Sequence, residues 1–169
     1  TCALPISMTT LRPEQARRLT VLDDVPAGSL LIHEIYASIQ GESTYAGLPC
    51  TFVRLTGCHL RCRWCDTPHA FVEGRPMTID QVVGRVLELP PEMVELTGGE
   101  PLAQAGALDL MRRLADAGKR VLLETSGGLP IDEVDPRVVV ILDLKCPSSG
   151  EEAANRYQNL QRLKPTDEV

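Results

Sequence analysis

The sequence predicts an α/β protein built as an open, truncated, TIM-like βα barrel. Three observations carry this. From about residue 78 onward, short apolar runs suited to strands alternate with stretches of helical periodicity, the pattern that folds as parallel strands joined by crossover helices. The loops richest in glycine, cysteine or serine (57–67, 98–101, 126–128 and 145–149) each follow a predicted strand, and parallel sheets gather their ligands at the carboxyl ends of strands. The strand–helix units in 169 residues are too few to close an eight-stranded barrel.

Taken in order, residues 1–7 precede Met8 without the basic start and long apolar run of a secretory signal, and read as foreign or untranslated sequence. Residues 1–30 are expected to form an N-terminal arm and residues 31–169 the domain. In the arm, residues 11–19 suit a short helix with Pro13 in its first turn, polar on most faces and without a function of its own, ending in a loop at 24–28. Residues 31–39 alternate apolar with polar, as a half-buried strand does, until Gln40-Gly41-Glu42-Ser43 breaks the pattern. A strand at 51–56 delivers the cysteine loop.

Thr78-Ile79-Asp80-Gln81 is a capping signature for a helix that keeps Ile79, Val82, Val83, Val86 and Leu87 on one face and stops before Pro90-Pro91. A strand at 93–97 follows, then a helix at 105–117 closed by Gly118, strands at 121–125 and 138–142, and a helix at 151–163. Residues 163–169 look like the entrance to another strand. The domain is therefore expected to be incomplete at its C-terminal end, with an unpaired sheet edge.

A chain of this length makes one ordinary domain, burying about two thirds of the surface its unfolded form exposes. A net charge of -6 and a pI near 5.1 argue against a nucleic-acid partner, which selects a basic face. No run approaches the eighteen or so apolar residues of a membrane span. Of the six cysteines, three lie too close in sequence for a disulfide framework, so a reducing cytoplasm fits best.

Those three, Cys58, Cys62 and Cys65, crowd into eight residues at the spacing CxxxCxxC. Thiols so close on one loop can converge on Zn²⁺ or on the irons of an iron–sulfur cluster. A closed structural site uses four protein ligands, so three leave a coordination position open, and an open position implies chemistry. A zinc knuckle completed by Cys50 or His59 is the plain alternative, although a second CxxC is missing. Cys50 and Cys146 otherwise read as core thiols. His33, His59 and His69 do not form a set, and no nucleophile elbow is present for a hydrolytic triad.

Cys58-His59-Leu60-Arg61-Cys62-Arg63-Trp64-Cys65, followed about thirty residues later by Thr97-Gly98-Gly99-Glu100-Pro101, resembles the radical S-adenosylmethionine (radical SAM) superfamily. Ile39-Gln40-Gly41-Glu42, Phe52-Val53-Arg54-Leu55, Cys65-Asp66-Thr67, Glu124-Thr125-Ser126-Gly127 and Asp143-Leu144-Lys145-Cys146-Pro147-Ser148-Ser149-Gly150 narrow the likeness to the 7-carboxy-7-deazaguanine synthase family of queuosine biosynthesis, over roughly residues 31–164. The resemblance implies a partial barrel of the radical SAM type and a lyase that converts 6-carboxy-5,6,7,8-tetrahydropterin to 7-carboxy-7-deazaguanine with loss of ammonia. It implies a [4Fe–4S] cluster on Cys58, Cys62 and Cys65 and SAM held by Trp64, Gly98, Gly99, Glu100, Ser126, Asp143 and Lys145. Mg²⁺ would sit on Thr67, with the pterin contacted by Ile39, Gln40, Gly41, Glu42, Arg54 and Thr97. It further implies an external reductant such as flavodoxin and a homodimer.

The same residues have plainer readings. Gly98-Gly99 is a turn in any chain, Trp64 a packing residue, Lys145 a surface lysine, Thr67 a loop residue, and Arg54 an interior-strand arginine satisfied by a structural carboxylate. The alternative functions are another small radical SAM enzyme, such as a glycyl-radical activase, and a non-catalytic zinc or iron–sulfur module.

Overall fold

In the computed structural model, residues 11–169 are described, so the expectation for residues 1–7 lies outside the described residues. Six strands form one sheet: β1 Ser29–Ile39, β2 Pro49–Leu55, β3 Arg75–Thr78, β4 Met93–Gly98, β5 Arg120–Thr125 and β6 Val139–Leu142, in the order β3-β1-β2-β4-β5-β6. β2, β4, β5 and β6 pair parallel, as expected, whereas β1 runs antiparallel to both β2 and β3. The connection over 40–48 is shorter than the dozen or so residues a parallel crossover requires, so β1 and β2 can only fold back on each other. β3 escaped the sequence reading because Pro76 argues against a strand. It is tolerated there because β3 is an edge strand whose outer side needs no donor. Between Ile32 and Glu34 the pairing of β1 slips by a β-bulge.

The helices are α1 Pro13–Arg17, α2 Ile79–Leu87 and α3 Gly106–Asp116. α2 begins as its sequence predicts, with Gln81 N donating to Thr78 Oγ1 at 3.2 Å and Thr78 N to Gln81 Oε1 at 2.9 Å. Val82 and Val86 of α2 and Ala107, Leu110, Met111 and Leu114 of α3 press onto one sheet face, where Leu30, Ile32, Val53, Leu55, Val94, Leu96, Val121, Leu123, Val140 and Leu142 complete the core. Each large side chain there contributes about 1.5–3 kcal/mol by leaving water. Strand alternation sends Phe52, Met93, Leu122 and Val139 to the other face, in a smaller apolar cluster with Cys50. Further along that face, toward the carboxyl ends, stand Arg54, Glu95, Thr97 and Glu124. Among the described residues no helix is long and apolar enough to cross a membrane.

The helix expected at 151–163 is absent: two 3-10 turns, Glu152–Ala154 and Tyr157–Arg162, stand in its place. Asn155 is extended (φ -60°, ψ 127°). Its amide exchanges two hydrogen bonds with the Lys145 backbone, at 2.9 and 2.8 Å, while buried Asn159 donates to the carbonyls of Gly127 and Leu129 at 3.0 and 2.8 Å. Such side-chain bonds to distant backbone compete with the helical ladder. β1 starts at Ser29, and Leu19 and Leu30 of the arm pack into the core. Beyond β6, Glu168 exchanges backbone bonds of 2.9 Å with Val140 and Leu142, a parallel bridge in keeping with the strand entrance expected there.

Candidate active site

At the carboxyl ends of β2, β4, β5 and β6 opens a cavity of about 440 Å³, an ordinary size for a small-molecule site. Its wall gathers all three cysteines of the CxxxCxxC loop with Trp64 and Thr67, Gly98 and Gly99 after β4, Ser126 after β5, and Asp143 and Lys145 after β6. Gln40, Gly41, Glu42, Arg54 and Thr97 line the same space. Ile39, 57% exposed, and Glu100, fully buried, lie outside the lining.

The cysteine loop is held from several sides. Arg61 Nη1 donates to the carbonyls of Cys58 and Leu60 at 2.7 and 2.6 Å, and its guanidinium lies 4.0 Å over the Phe71 ring. Buried Glu151 accepts from Arg61 N at 2.7 Å and from Arg18 Nη1 at 2.8 Å, and Arg18 also donates to the His59 carbonyl at 2.9 Å. The arm therefore has a task that its polar sequence did not disclose. Gly98 and Gly99 explain themselves by contact: a Cβ on Gly98 would meet Leu55 O at 2.2 Å, and one on Gly99 would meet Gly57 O at 2.3 Å. Only glycine lets the turn after β4 come this close to the end of β2 and the cysteine loop, where Gly99 N donates to the Leu55 carbonyl at 3.0 Å and Glu100 N to the Gly57 carbonyl at 2.8 Å.

Burial pushes the Cys58 thiol up to about 12 and also raises Cys62, so both hold their protons until a cation compensates the thiolate. Among the described residues, the group of three Cys, His, Asp or Glu ligand atoms lying within 4.8 Å of one another does not include these thiols. A single Zn²⁺ with bonds of 2.3 Å requires sulfurs about 3.8 Å apart. Three thiols on one loop facing a cavity suit an iron–sulfur cluster that keeps one iron free of protein ligands.

Glu100 does not present itself to the cavity. Its carboxylate accepts from Leu102 N at 3.1 Å, Thr125 Oγ1 at 2.8 Å and Ser126 N at 3.0 Å, and from the Ser126 hydroxyl as well. It braces the two loops that the lining glycines and Ser126 belong to. Gln40 is likewise committed: its amide donates to Glu95, and its Oε1 accepts from Gly41 N and Glu42 N at 2.9 and 3.2 Å. Arg54 Nε pairs with Glu34 at 2.8 Å, the structural carboxylate of its plainer reading, yet the guanidinium still faces the cavity. Lys145 pairs with Asp143. Cys65 Sγ and Thr67 Oγ1 are 3.8 Å apart, so the thiol loop ends on the hydroxyl expected for Mg²⁺.

Two lining carboxyls, Glu95 and Glu124, were not among the expected site residues. Burial, then the charge of Glu124, lifts Glu95 to about 7, and burial raises Glu124 against the opposing hydrogen bond from Thr97 at 2.5 Å. A lone carboxylate inside the apolar run Met93-Val94-Glu95-Leu96 was the signal available. The histidines also need correction: the His33 and His69 rings are 4.6 Å apart, and with Glu34 they form a cluster. They were separated in sequence by two strands' worth of chain, which only the fold brings together. His59 stands apart, buried, with neither ring nitrogen partnered by an atom of the described residues.

The radical SAM superfamily model matches residues 52–142, more than half of the chain. The chain is 51% identical over 140 residues to the 7-carboxy-7-deazaguanine synthase of Koribacter versatilis, covering 82% of this chain and 62% of that protein. It is 56% identical over 121 residues to that of Chlorobaculum tepidum (72% and 55%) and 41% identical over 140 residues to that of Thermoplasma acidophilum (82% and 67%). It thus spans 55% to 62% of the length of the first two of these relatives. A crystal structure of QueE from Escherichia coli superposes with a TM-score of 0.66 at 26% identity, over 80% of this chain and 68% of that one. The fold, the cysteine-lined cavity and these likenesses agree, and the chain belongs to the radical SAM superfamily and, within it, to the 7-carboxy-7-deazaguanine synthase family.

Proposed function

We propose that the cavity carries out the ring contraction of 6-carboxy-5,6,7,8-tetrahydropterin to 7-carboxy-7-deazaguanine, with loss of ammonia. The observation that supports this most is the meeting, in one cavity, of the three open-site thiols with Gln40, Glu42, Arg54, Thr67 and Thr97, groups that a radical SAM activase acting on a protein would not need. Cys58, Cys62 and Cys65 would hold the [4Fe–4S] cluster, while Trp64, Gly98, Gly99, Ser126, Asp143 and Lys145 would surround SAM. When bound, cluster and SAM together supply a 5′-deoxyadenosyl radical that takes a hydrogen atom from the substrate.

The chain's own contribution is recognition and proton control. Among the described residues Arg54 keeps Nη1 uncommitted beside its bonds to Glu34 and Tyr36, enough to meet the pterin carboxylate. Gln40 fixes the loop that presents Glu42, and Glu42 and Glu95 offer acceptors to the donor-rich pyrimidine edge. Glu95, with its pKa near 7, exchanges a proton readily at neutral pH, which suits a reaction that must protonate leaving nitrogen. Thr67 Oγ1 would ligate Mg²⁺, a hard ion that retains waters and takes its remaining ligands from the substrate. An external one-electron reductant such as flavodoxin, a homodimer and a cytoplasmic setting complete the reading; five free thiols among the described residues support the last.

The test begins with anaerobically prepared protein. Iron and sulfide in about four-to-four ratio, with 5′-deoxyadenosine released on reduction with dithionite, are expected. About one zinc with neither iron nor sulfide would overturn the radical reading in favour of a zinc module. Mass spectrometry of the pterin-dependent product and light scattering for the dimer follow on the chain at the full length of its relatives.

A further inference from the structure

We propose that His33, Glu34 and His69 form a second metal site, outside the cysteine cavity, for a divalent transition ion that favours imidazole, with Zn²⁺ its best occupant. One ligand atom from each residue lies within 4.8 Å of the other two, and none of the three lines the cavity. All three are partly exposed, so an ion from solvent can reach them.

The backbone builds the arrangement. In a regular strand His33 and Glu34 would point to opposite faces, but the β-bulge between Ile32 and Glu34 breaks that alternation, and bulges re-aim side chains in this way. The 3-10 turn Pro68–Phe71 brings His69 to the same place, its ring 4.6 Å from that of His33.

What separates this cluster from a chance meeting of surface side chains is that its outer contacts already exist. His33 Nδ1 lies 3.0 Å from the Glu73 carbonyl, an acceptor only, so Nδ1 carries the proton and Nε2 keeps its lone pair for a metal. Glu34 Oε1 accepts from Arg54 Nε at 2.8 Å, leaving Oε2 free. Metal-bound imidazoles donate their other N–H to a carbonyl or carboxylate, and metal-bound carboxylates are themselves hydrogen-bonded; His33 and Glu34 meet these conditions. Tetrahedral zinc with bonds of 2.0–2.1 Å sets its ligand atoms about 3.4 Å apart, a contraction that side-chain rotation supplies. Two imidazoles and one carboxylate select Zn²⁺ and its transition neighbours over Mg²⁺, which prefers oxygen and water. A fourth position remains for water. Because Glu34 also holds Arg54, an occupied site would pin a guanidinium of the cavity wall from behind. The site does not depend on the ring-contraction reading, since its occupation requires no pterin.

The experiment uses anaerobic, cluster-loaded protein, so that Cys58, Cys62 and Cys65 are engaged, and titrates Zn²⁺ against a chromogenic chelator while following the Tm. One competing Zn²⁺ per chain and a raised Tm are expected, undiminished by millimolar Mg²⁺. His33→Ala and His69→Ala should each weaken binding at least about 100-fold and abolish the Tm rise, with Glu34→Gln weakening it about 10–100-fold. Cys146→Ala, removing a thiol that is exposed and not in the core as its sequence suggests, should bind as the parent does. No competing Zn²⁺ in the parent, or parent-like binding in both histidine variants, overturns the proposal. Neither outcome bears on the iron and sulfide content that tests the cluster.

Discussion

Replacing Glu95 by Gln should stabilise the protein, and by an amount that depends on pH. The Glu95 carboxyl is raised from an ordinary 4.5 to about 7, by burial first and by the charge of Glu124 second. A folded-state pKa above the unfolded value means that the folded form binds the proton more tightly, so stability falls as pH rises from 4.5 to 7 and the full penalty stands above 7. The displacement corresponds to about 3 kcal/mol. Nearly all of it acts at pH 8 and less than 1 kcal/mol at pH 5, by the same linkage. Gln keeps an acceptor for the Gln40 amide and carries no charge. The Glu95→Gln variant should therefore gain about 2–3 kcal/mol more over its parent at pH 8 than at pH 5, or about 5–10 °C in Tm. Urea denaturation of both proteins, anaerobically and in the same cluster state, measures this difference of differences. An equal increment at the two pH values would refute the ionisation argument and reduce Glu95 to a packing residue.

Three further outcomes follow from the same geometry. Gly99→Ala puts a Cβ 2.3 Å from the Gly57 carbonyl and should lower stability by about 3 kcal/mol while impairing cluster retention, read by urea denaturation and iron analysis. Cys62→Ala should lose iron and all release of 5′-deoxyadenosine, whereas Cys50→Ala, which removes a buried thiol raised to about 12 by burial and by Glu95, should keep both. Arg54→Ala should weaken pterin binding by about 2–5 kcal/mol and leave pterin-independent SAM cleavage intact, and Thr67→Ala should blunt Mg²⁺ stimulation with the same sparing of cleavage. Equal loss of both activities in the two variants would mark the residues as supports of the fold.

The thiol loop, the paired glycines and the capped helix α2 were legible because each is a local pattern with one physical meaning: converging ligands, close backbone approach, a satisfied helix end. Gln40 was legible as a residue of the cavity wall, whereas Glu100, expected there, lies behind it bracing two loops, and the contacts of both were hidden because a carboxylate's or amide's partners come from segments far off in sequence. β3 was hidden by Pro76, whose penalty depends on whether the strand is an edge. The turns at 151–163 looked helical because apolar spacing says nothing of asparagines that bond to other loops. His33 and His69 were missed for a related reason, since a bulge leaves almost no trace in composition.

Glu151 gives the chain a timetable during its own synthesis. Its carboxylate clamps residues that lie 90 and 133 positions earlier, Arg61 and Arg18. At about 5–20 residues per second a ribosome needs roughly 5–20 s to extend the chain from the first of these to Glu151. For that interval the cysteine loop lacks the Glu151 carboxylate on Arg61 N, and Arg18 has the His59 carbonyl as its partner without Glu151. Iron and sulfide delivered then would meet a pliable loop, while delivery after release meets one whose backbone is already clamped. The clamp on the cysteine loop thus closes only when a glutamate 90 positions beyond Arg61 has been made.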